Sequence, residues 1–466
     1  MALTGRAALL ALLGTLAVLF APAPGAAVAG VTLLIAALVV VDLLLAGSVR
    51  PLRFTRSGER LVRLGESVTV ELIVENPGPR RVRGVLRDAW PPSAGATPRH
   101  LPLDVPPGER RRLVTTLTPT RRGDREAVTV TVRALGPLGV AARQGSHRVP
   151  WSVRVLPPFL SRKHLPAKLS RLRELEGQHP SMVRGQGTEF DSLREYVAGD
   201  DVRSIDWRAT ARRADVVVRT WRPERDRRVL IVLDTGRTSA GRVGISPIPP
   251  SGTAAVTERA ERIERAGRAG PAGEARVVPG WPRLDWSMDA ALLLAALASR
   301  AGDRVDFMAH DRAVRAWVSG AGRAELLSSL VTTMAPIEAE LVEADSAGMV
   351  AAVLSRARRR CLVVVLTDLN PAALEEGLLP VLPRLSSRHL VLLAAVSDPQ
   401  VAEMAAGRGT SELVYGAAAA EHLAAGRRRI TALLRAQGVE VVDAAPERLA
   451  PALADAYLAL KAAGRL

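Results

Sequence analysis

Residues 228–239 read RVLIVLDTGRTS, in which a continuous apolar run over 229–233 ends in an acid, Asp234. Similar apolar runs follow at 305–308, 314–318, 361–366, 389–396 and 439–442, separated by helical patterns at 285–301, 323–333, 346–359, 372–382, 420–437 and 446–463. Continuous apolar strands that alternate with helices predict a mainly parallel sheet covered on both faces, an α/β doubly wound domain over 229–466. Ligands of such sheets bind at the carboxyl ends of the strands. Asp234 and Asp368 each follow a predicted strand and are therefore expected at that edge.

Composition excludes several classes of protein. The chain has 466 residues, of which 48% are hydrophobic and 24% charged, which predicts about three folded units and excludes disorder for the whole. No Lys follows a Gly, so the chain has no Walker A loop, and nucleotide hydrolysis of that kind would come from a partner. The single Cys361 excludes an internal disulfide and a Cys-based zinc site, and the seven His show no metal-ligand spacing.

The amino terminus predicts membrane insertion. Residues 7–41 carry no charged side chain and would form a helix of ~52 Å, longer than a ~30 Å hydrocarbon core. Proline lacks an amide donor and ends helices, so Pro22 and Pro24 divide the run into a transmembrane hairpin over 1–49, with spans at 3–21 and 26–46. The arginines that flank the hairpin are Arg6, Arg50, Arg53 and Arg56. By the positive-inside rule, they place both ends of the hairpin, and the body of the chain, on the cytoplasmic side of the cell membrane.

A cleaved signal peptide is the alternative interpretation of this segment. Ala27-Val28-Ala29 would be the cleavage site after an apolar stretch that Arg6 precedes. One span would then remain, with the body still cytoplasmic. Asp42, near the inner end of the second span, is predicted to be interfacial and not a proton relay.

Residues 50–158 predict a small antiparallel β-sandwich. Short alternating runs, such as 68–74, 111–118 and 128–132, are separated by turn clusters rich in Pro and Gly. Alternating arginines on such strands are more commonly solvated than bound to nucleic acid, and only 3% of the chain is aromatic, which leaves no platform for base stacking.

Residues 159–228 are dense in charges of both signs and are expected to pack on the following domain. One candidate for catalysis there is a cluster of acidic side chains, since adjacent acids raise one another's pKa. The cluster consists of Glu189, Glu195, Asp200, Asp201 and Asp206. The neighbouring arginines favour a structural ion-pair network instead. An enzyme would need Asp200, Asp201 and Asp206 in a concave pocket with unpaired carboxylates, and the chain has no G-x-S-x-G elbow.

Two resemblances follow from these motifs. A strand ending in an acid, Asp234, and a later strand ending in Thr367-Asp368 resemble von Willebrand factor A domains, whose adhesion site holds magnesium. The charged segment resembles the bacterial family called domain of unknown function 58, which shares the order of hairpin, sandwich, charged segment and A-like domain. The signature residues in this chain are Glu189, Phe190, Arg194, Tyr196, Asp200, Asp201, Arg203, Asp206 and Trp207.

The first resemblance implies a degenerate magnesium site of Asp234, Thr238 and Asp368. Gly236 stands where the family has its first serine, so one hydroxyl ligand is missing. Magnesium takes six oxygen ligands and accepts waters among them, so a weak Mg²⁺ site is expected. If no metal binds, Asp234 caps the following loop or pairs with Arg237.

The loop at 240–284 is an insertion relative to the family and is expected to be mobile. Members of the family are often found beside MoxR-type AAA+ ATPases, which implies a non-enzymatic, membrane-anchored scaffold or adaptor that binds such an ATPase and other proteins. The formal charge of +17 keeps a second class open, a protein that binds nucleic acid or anionic lipid, with nucleic acid the less expected of the two ligands.

Overall fold

The computed structural model describes residues 1–178, 189–197, 205–213, 215–222, 227–245 and 279–466. The chain forms two compact units, one built on Met1–Pro158 and the other on most of the described residues from Phe159 onward.

The first unit begins with strand β1 (Ala2–Leu3) and two apolar helices, α1 (Gly5–Leu19) and α2 (Pro24–Leu45). Within the described residues, α2 is the helix long and apolar enough to cross a membrane, at about 33 Å. Helix α1 has 15 residues and reaches only about 22 Å. The first span predicted at 3–21 is therefore too long, because Leu3 lies in a strand that pairs with the sandwich.

The strands of the first unit form three sheets. They are β2 (Arg53–Gly58), β3 (Leu61–Arg63), β4 (Val68–Glu75), β5 (Val82–Ala89), β6 (Ala96–Thr97), β7 (Leu101–Val105), β8 (Arg110–Leu117), β9 (Gly123–Glu126), β10 (Thr129–Leu135), β11 (Ala141–His147) and β12 (Ser152–Leu156). The sheet orders are β1-β11-β10-β5-β7, β2-β4-β8-β6 and β3-β12-β9. The first two sheets are antiparallel throughout, and β3 pairs with β12 in parallel.

The core of this unit lies between the two larger sheets. Every second residue of β4 is buried, as a strand with one inward face requires. Leu72 and Val74 of β4 pack with Leu86 of β5 and Val132 of β10 in one apolar cluster. Inward residues of both sheets share this core, which makes the segment a β-sandwich.

Arg56, predicted to be a positive-inside residue, lies in the sandwich interior. Its side chain is 1% exposed and bonds Asp88 through two N–H groups, Nη1 to Oδ2 at 3.0 Å and Nη2 to Oδ1 at 2.6 Å. Trp90 Nε1 donates to the same carboxylate at 2.9 Å. Arg56 therefore contributes to the fold and not to the charge at the membrane surface.

The second unit opens with a 3-10 turn (Leu160–His164), α3 (Leu165–Gln178), β13 (Glu189–Glu195), α4 (Trp207–Arg213) and β14 (Val217–Arg222). Strands β13 and β14 form an antiparallel pair. Its further elements are β15 (Arg228–Asp234), α5 (Arg237–Ala240), β16 (Arg242–Ile245), β17 (Pro279–Pro282), α6 (Arg283–Arg300), β18 (Arg304–His310), β19 (Val314–Val318), α7 (Leu326–Met334), α8 (Ser346–Arg356), β20 (Leu362–Leu366), α9 (Pro371–Ala373), α10 (Leu382–Ser386), β21 (Leu390–Val396), α11 (Pro399–Ala405), α12 (Ser411–Ala436), β22 (Glu440–Ala444) and α13 (Pro446–Ala462).

Six of these strands form one sheet in the order β19-β18-β15-β20-β21-β22. All neighbours are parallel except β19, which pairs antiparallel with β18. Val232 lies opposite Met308 on one side and Val365 on the other. In chain order the strands run 3-2-1-4-5-6, so the order reverses between β15 and β20, where doubly wound sheets open a crevice.

Two predicted segments differ from the structure or fall outside it. The helix predicted at 372–382 is broken into α9, a π-helical turn (Leu374–Leu378) and α10, because Pro380 and Pro383 cannot donate the amide hydrogen bonds of a continuous helix. The ends of the insertion predicted at 240–284 pair as β16 and β17. Its mobility concerns 246–278, which lie outside the described residues.

Candidate functional site

A cavity of about 560 Å³ lies at the carboxyl edge of the six-stranded sheet. Its lining includes Asp234 after β15, Thr238 in α5, and Thr367 and Asp368 after β20. The loops that follow β15 and β20 diverge because the strand order reverses between these two strands. The fold therefore brings the three predicted metal-site residues to one cavity.

The carboxylate of Asp234 is surrounded by neutral donors. Its Oδ1 accepts from the Gly236 amide at 2.8 Å. Its Oδ2 accepts from Thr238 Oγ1 at 3.0 Å and from Thr367 Oγ1 at 2.6 Å. The residue is 7% exposed. Asp234 therefore caps the start of the following loop and does not pair with Arg237, which bonds Glu343 instead.

Gly236 accommodates a close approach of the backbone. A Cβ at this position would lie 3.0 Å from the Val342 carbonyl oxygen and 3.3 Å from Ala344 Cβ. A serine there, as in the resembling family, would require the 342–344 segment to move. The missing hydroxyl is thus coupled to the packing of that segment.

Asp368 is paired with guanidinium groups. Arg427 Nη1 donates to its Oδ1 at 2.8 Å, and Arg283 Nε lies 3.5 Å from the same oxygen. Arg427 also bonds Asp443 at 2.7 Å. Desolvation opposes the charge of the half-buried Arg427, but the bonds and attraction from Asp443 and Asp368 prevail and raise its pKa. Arg427 is therefore a fixed cation beside the cavity.

The neighbouring strand β18 ends in a buried histidine. His310 lines the cavity and is 4% exposed. Burial lowers its pKa despite the opposing attraction of Asp311, Asp345 and Asp234. The imidazole is therefore held neutral by its surroundings near pH 7.

The donor set meets only part of what magnesium needs. Two carboxylates and two threonine hydroxyls are hard oxygen ligands of the type that Mg²⁺ prefers. Asp368, however, already has Arg427 as its cation, and the described residues hold no cluster of three or more His, Cys, Asp or Glu arranged for a metal. With Asp368 paired to Arg427, these residues offer an incomplete set of magnesium ligands, and the weak Mg²⁺ site stays a prediction.

The signature residues lie in several environments. Glu189, Phe190 and Arg194 are in β13, and Tyr196 and Trp207 are 37% and 67% exposed. Asp206 Oδ1 accepts from the amides of residues 208 and 209 and caps α4. This role is structural, as expected for a helix cap. Asp200, Asp201 and Arg203 lie outside the described residues.

Three residues of the site have no role predicted from the sequence. Thr367 belongs to the Thr367-Asp368 strand end that supports the resemblance to von Willebrand factor A domains, and its position directly before Asp368 is the signal for its role in the site. Arg427 and Arg283 have no such signal in the sequence. Arg427 lies 59 positions after Asp368, and Arg283 lies far before it, each on a separate helix. Only the packing of those helices on the sheet brings them to the carboxylate.

Part of the charged segment and most strands of the six-stranded sheet match a known family. The family described as "Protein of unknown function DUF58" matches residues 192–244 and 283–432. The resemblance predicted from the charged motifs is confirmed over these residues. The match omits 245–282, where the insertion was predicted.

The following similar proteins do not indicate an activity for this chain. Uncharacterized proteins of Mycobacterium bovis and Mycobacterium tuberculosis are 26% identical over 233 residues, which is 49% of this chain and 61% of each relative. Among solved structures, the CARDB domain of a Pyrococcus furiosus protein, in complex with di-metal ions, is 18% identical and is similar to 22% of this chain and 86% of that domain, with a TM-score of 0.17. A similarity of that size carries no structural argument.

Proposed function

We propose that the chain is a non-enzymatic membrane-anchored scaffold or adaptor. Its second unit is a von Willebrand factor A-like domain that docks protein partners at the cavity, with a MoxR-type AAA+ ATPase as the principal partner. In this proposal α1 and α2 form the membrane hairpin, and the body lies on the cytoplasmic side. A partner would supply the nucleotide hydrolysis that the chain itself has no Walker A loop to perform.

The placement of Asp234, Thr238, Thr367 and Asp368 around one cavity at the reversal of strand order is the observation that carries this proposal. Ligands of parallel α/β sheets bind at such a crevice. Both acids are more than nine-tenths buried, and their hydrogen bonds hold them in place before any partner arrives. A preorganised site loses little conformational entropy on binding.

The charge distribution supports a protein partner over nucleic acid. Arginines of the sandwich pair across strands with acids, as in Arg81 with Asp104, Arg112 with Glu71 and Arg154 with Asp124. These exposed pairs leave the net formal charge of +17 unchanged, but they interleave arginines with acids on the strands. Charges of both signs interleaved in this way favour a protein partner over a polyanion groove.

A pull-down from membranes tests the proposal. The full chain, its Asp234→Ala variant and a Glu440→Gln control would be compared with and without Mg²⁺. Glu440 is a half-buried carboxylate at the amino end of β22, the opposite edge of the sheet, where it pairs with Arg465.

We expect the wild type and the control to retain an AAA+ ATPase and Asp234→Ala to lose it. Equal recovery by all three would remove the cavity from the proposal. A difference between the wild type and Asp234→Ala that appears only with Mg²⁺ would support the metal-linked form of docking.

A further inference from the structure

The end of α2 fixes a depth in the membrane. Leu44 and Leu45, in its last turn, are 61% and 52% exposed, whereas Ala46 is buried against the first unit. Apolar surface therefore continues to residue 45 and then stops. In a bilayer around α2, this turn lies at the boundary between hydrocarbon and headgroups.

Three arginines bind backbone carbonyl groups at this level. Arg143 Nε donates to Leu43 O at 2.8 Å, and Arg80 Nη1 donates to Leu44 O. Arg6 Nη1 donates to Leu138 O at 3.0 Å, in the turn between β10 and β11. We call Arg6, Arg80 and Arg143 the arginine collar. The bonds from Arg143 and Arg80 also satisfy carbonyl groups that the end of α2 leaves unpaired.

Asp42 holds the turn against α2. Its carboxylate is fully buried and accepts from the amides of Leu138, Val140 and Ala141 at 2.7, 2.6 and 2.9 Å. Thr4 Oγ1 donates to Gly139 O at 2.6 Å from the other end of the hairpin. The helix end and the turn therefore form one assembly, and the collar guanidiniums are attached to it at set positions.

The collar retains unused donors. A guanidinium has five N–H groups, and the bonds above occupy one in each residue. Among the described residues, none of the three forms an ion pair with a carboxylate, in contrast to Arg81 beside them, which pairs with Asp104. Arg6 and Arg80 are exposed and Arg143 is half-buried. At the boundary between hydrocarbon and headgroups the membrane presents anionic oxygens, which are acceptors for such donors.

We infer that the arginine collar is a binding site for the phosphate of an anionic phospholipid headgroup. Guanidinium groups bind phosphate oxygens through paired N–H donors, and the exposed Leu138 offers an apolar contact in the same turn. The site rests on the proposed membrane insertion of α2, in a bilayer or a detergent micelle, and is independent of the docking cavity. Loss of one function would therefore leave the other intact.

Lipid titration of the full chain tests this inference. The protein in neutral detergent would be titrated with short-chain phosphatidylglycerol, short-chain phosphatidylcholine or inorganic phosphate, with bound lipid counted by native mass spectrometry. An arginine near an anionic surface contributes about fivefold to binding. The variant with Arg6, Arg80 and Arg143 all changed to Gln should therefore bind phosphatidylglycerol more weakly by on the order of 100-fold.

A matched triple variant controls for net charge. Arg87, Arg99 and Arg121 are exposed arginines of the same unit that do not bind the end of α2 in the structure. Their change to Gln lowers the charge equally and should alter binding less than twofold. Glutamine keeps an N–H donor for the carbonyls, and the melting temperature without lipid reports whether each variant folds. If the Gln collar variant does not fold, the collar changed to Lys provides the comparison, with a loss of at least fivefold expected.

Three results would overturn the inference. Equal losses in both triple variants would mean that binding depends on net charge alone. Unchanged affinity in the folded collar variant would place the lipid elsewhere. Inorganic phosphate that binds as tightly as the lipid would identify the ligand as a free anion.

Discussion

Thr367 Oγ1 donates to Asp234 Oδ2 at 2.6 Å and so joins the ends of the adjacent strands β15 and β20. The bond lies where the strand order reverses, and it holds the carboxylate that the proposed docking requires. The hydroxyl connects two of the predicted site residues, since Thr367 is followed directly by Asp368.

Removal of this hydroxyl should loosen the site. Thr367→Val keeps the shape of the side chain but leaves Asp234 Oδ2 with one donor fewer, at an expected cost of about 1–2 kcal/mol. Thr367→Ser keeps the hydroxyl and is the control. Chemical denaturation of the full chain measures the difference, and equal midpoints for the two variants would show that the bond contributes nothing.

Arg427 should compete with a divalent cation. Arg427→Gln removes the guanidinium from Asp368, so we expect Mn²⁺, a probe for Mg²⁺, to bind the variant at least about tenfold more tightly than the wild type, whose site is expected to be weak. Electron paramagnetic resonance of free Mn²⁺ measures both affinities. The control is Arg428→Gln, an exposed arginine on the same helix that lies 3.7 Å from Glu421. Tight binding by the wild type itself would show that Arg427 does not occupy the place of the cation.

Asp289 should make stability depend on pH. Burial raises the pKa of its carboxyl to about 6, although the Ser161 amide donates to it at 3.1 Å. The folded state therefore takes up a proton at higher pH than the unfolded state. The stabilisation that this group contributes is full below about pH 4 and is lost as pH rises through 6.

Asp289→Asn removes this titration and keeps an oxygen acceptor for the Ser161 amide. At pH 8 we expect the variant to melt at a higher temperature than the wild type, with a free energy of unfolding greater by at most about 3 kcal/mol. Near pH 4 the melting temperatures of the two proteins should converge. A melting difference that is the same at both pH values would contradict this assignment.

Asp42 should stabilise the junction of helix and sandwich. Asp42→Ala leaves three amides, two of them buried, without their acceptor, at an expected cost of about 3 kcal/mol or more. Hydrogen exchange should accelerate at Leu138, Val140 and Ala141. Asp104→Ala, which removes an exposed carboxylate of the same unit, is the control. Unchanged protection of the three amides in Asp42→Ala would show that other contacts hold the turn.

The proposed hairpin should expose its turn on the outer face of the membrane. Ala23→Cys lies between α1 and α2, whereas Arg99→Cys lies on the sandwich, and the native Cys361 is buried. A membrane-impermeant maleimide should label Ala23→Cys in intact cells and Arg99→Cys only after permeabilisation. Labelling of both in intact cells would reverse the orientation. Absence of residues 1–29 from the mature chain by mass spectrometry would favour the cleaved signal peptide.

Local chemistry accounts for what could be predicted of the fold. Continuous apolar runs predict the strands of the large sheet, and alternating runs predict the sandwich. Both predictions are possible because successive side chains of a strand point to opposite faces of its sheet. The helix predicted at 372–382 is wrong because the apolar pattern continues past Pro380, which interrupts the backbone bonds. The prediction of Arg56 as a membrane-flanking charge is wrong because its partner, Asp88, lies 32 positions away.

The amino-acid sequence by itself determined the apolar helices, the strand types and the acids at the strand ends, since each depends on residues adjacent in the chain. Only the tertiary structure decided the partners of those acids. Arg427 reaches Asp368, and the 138–141 amides reach Asp42 across 96 to 99 positions, through the packing of separate elements. Charges in the sequence can be counted, but whether a guanidinium neutralises a carboxylate or remains free for a ligand depends on distances that only the folded chain sets.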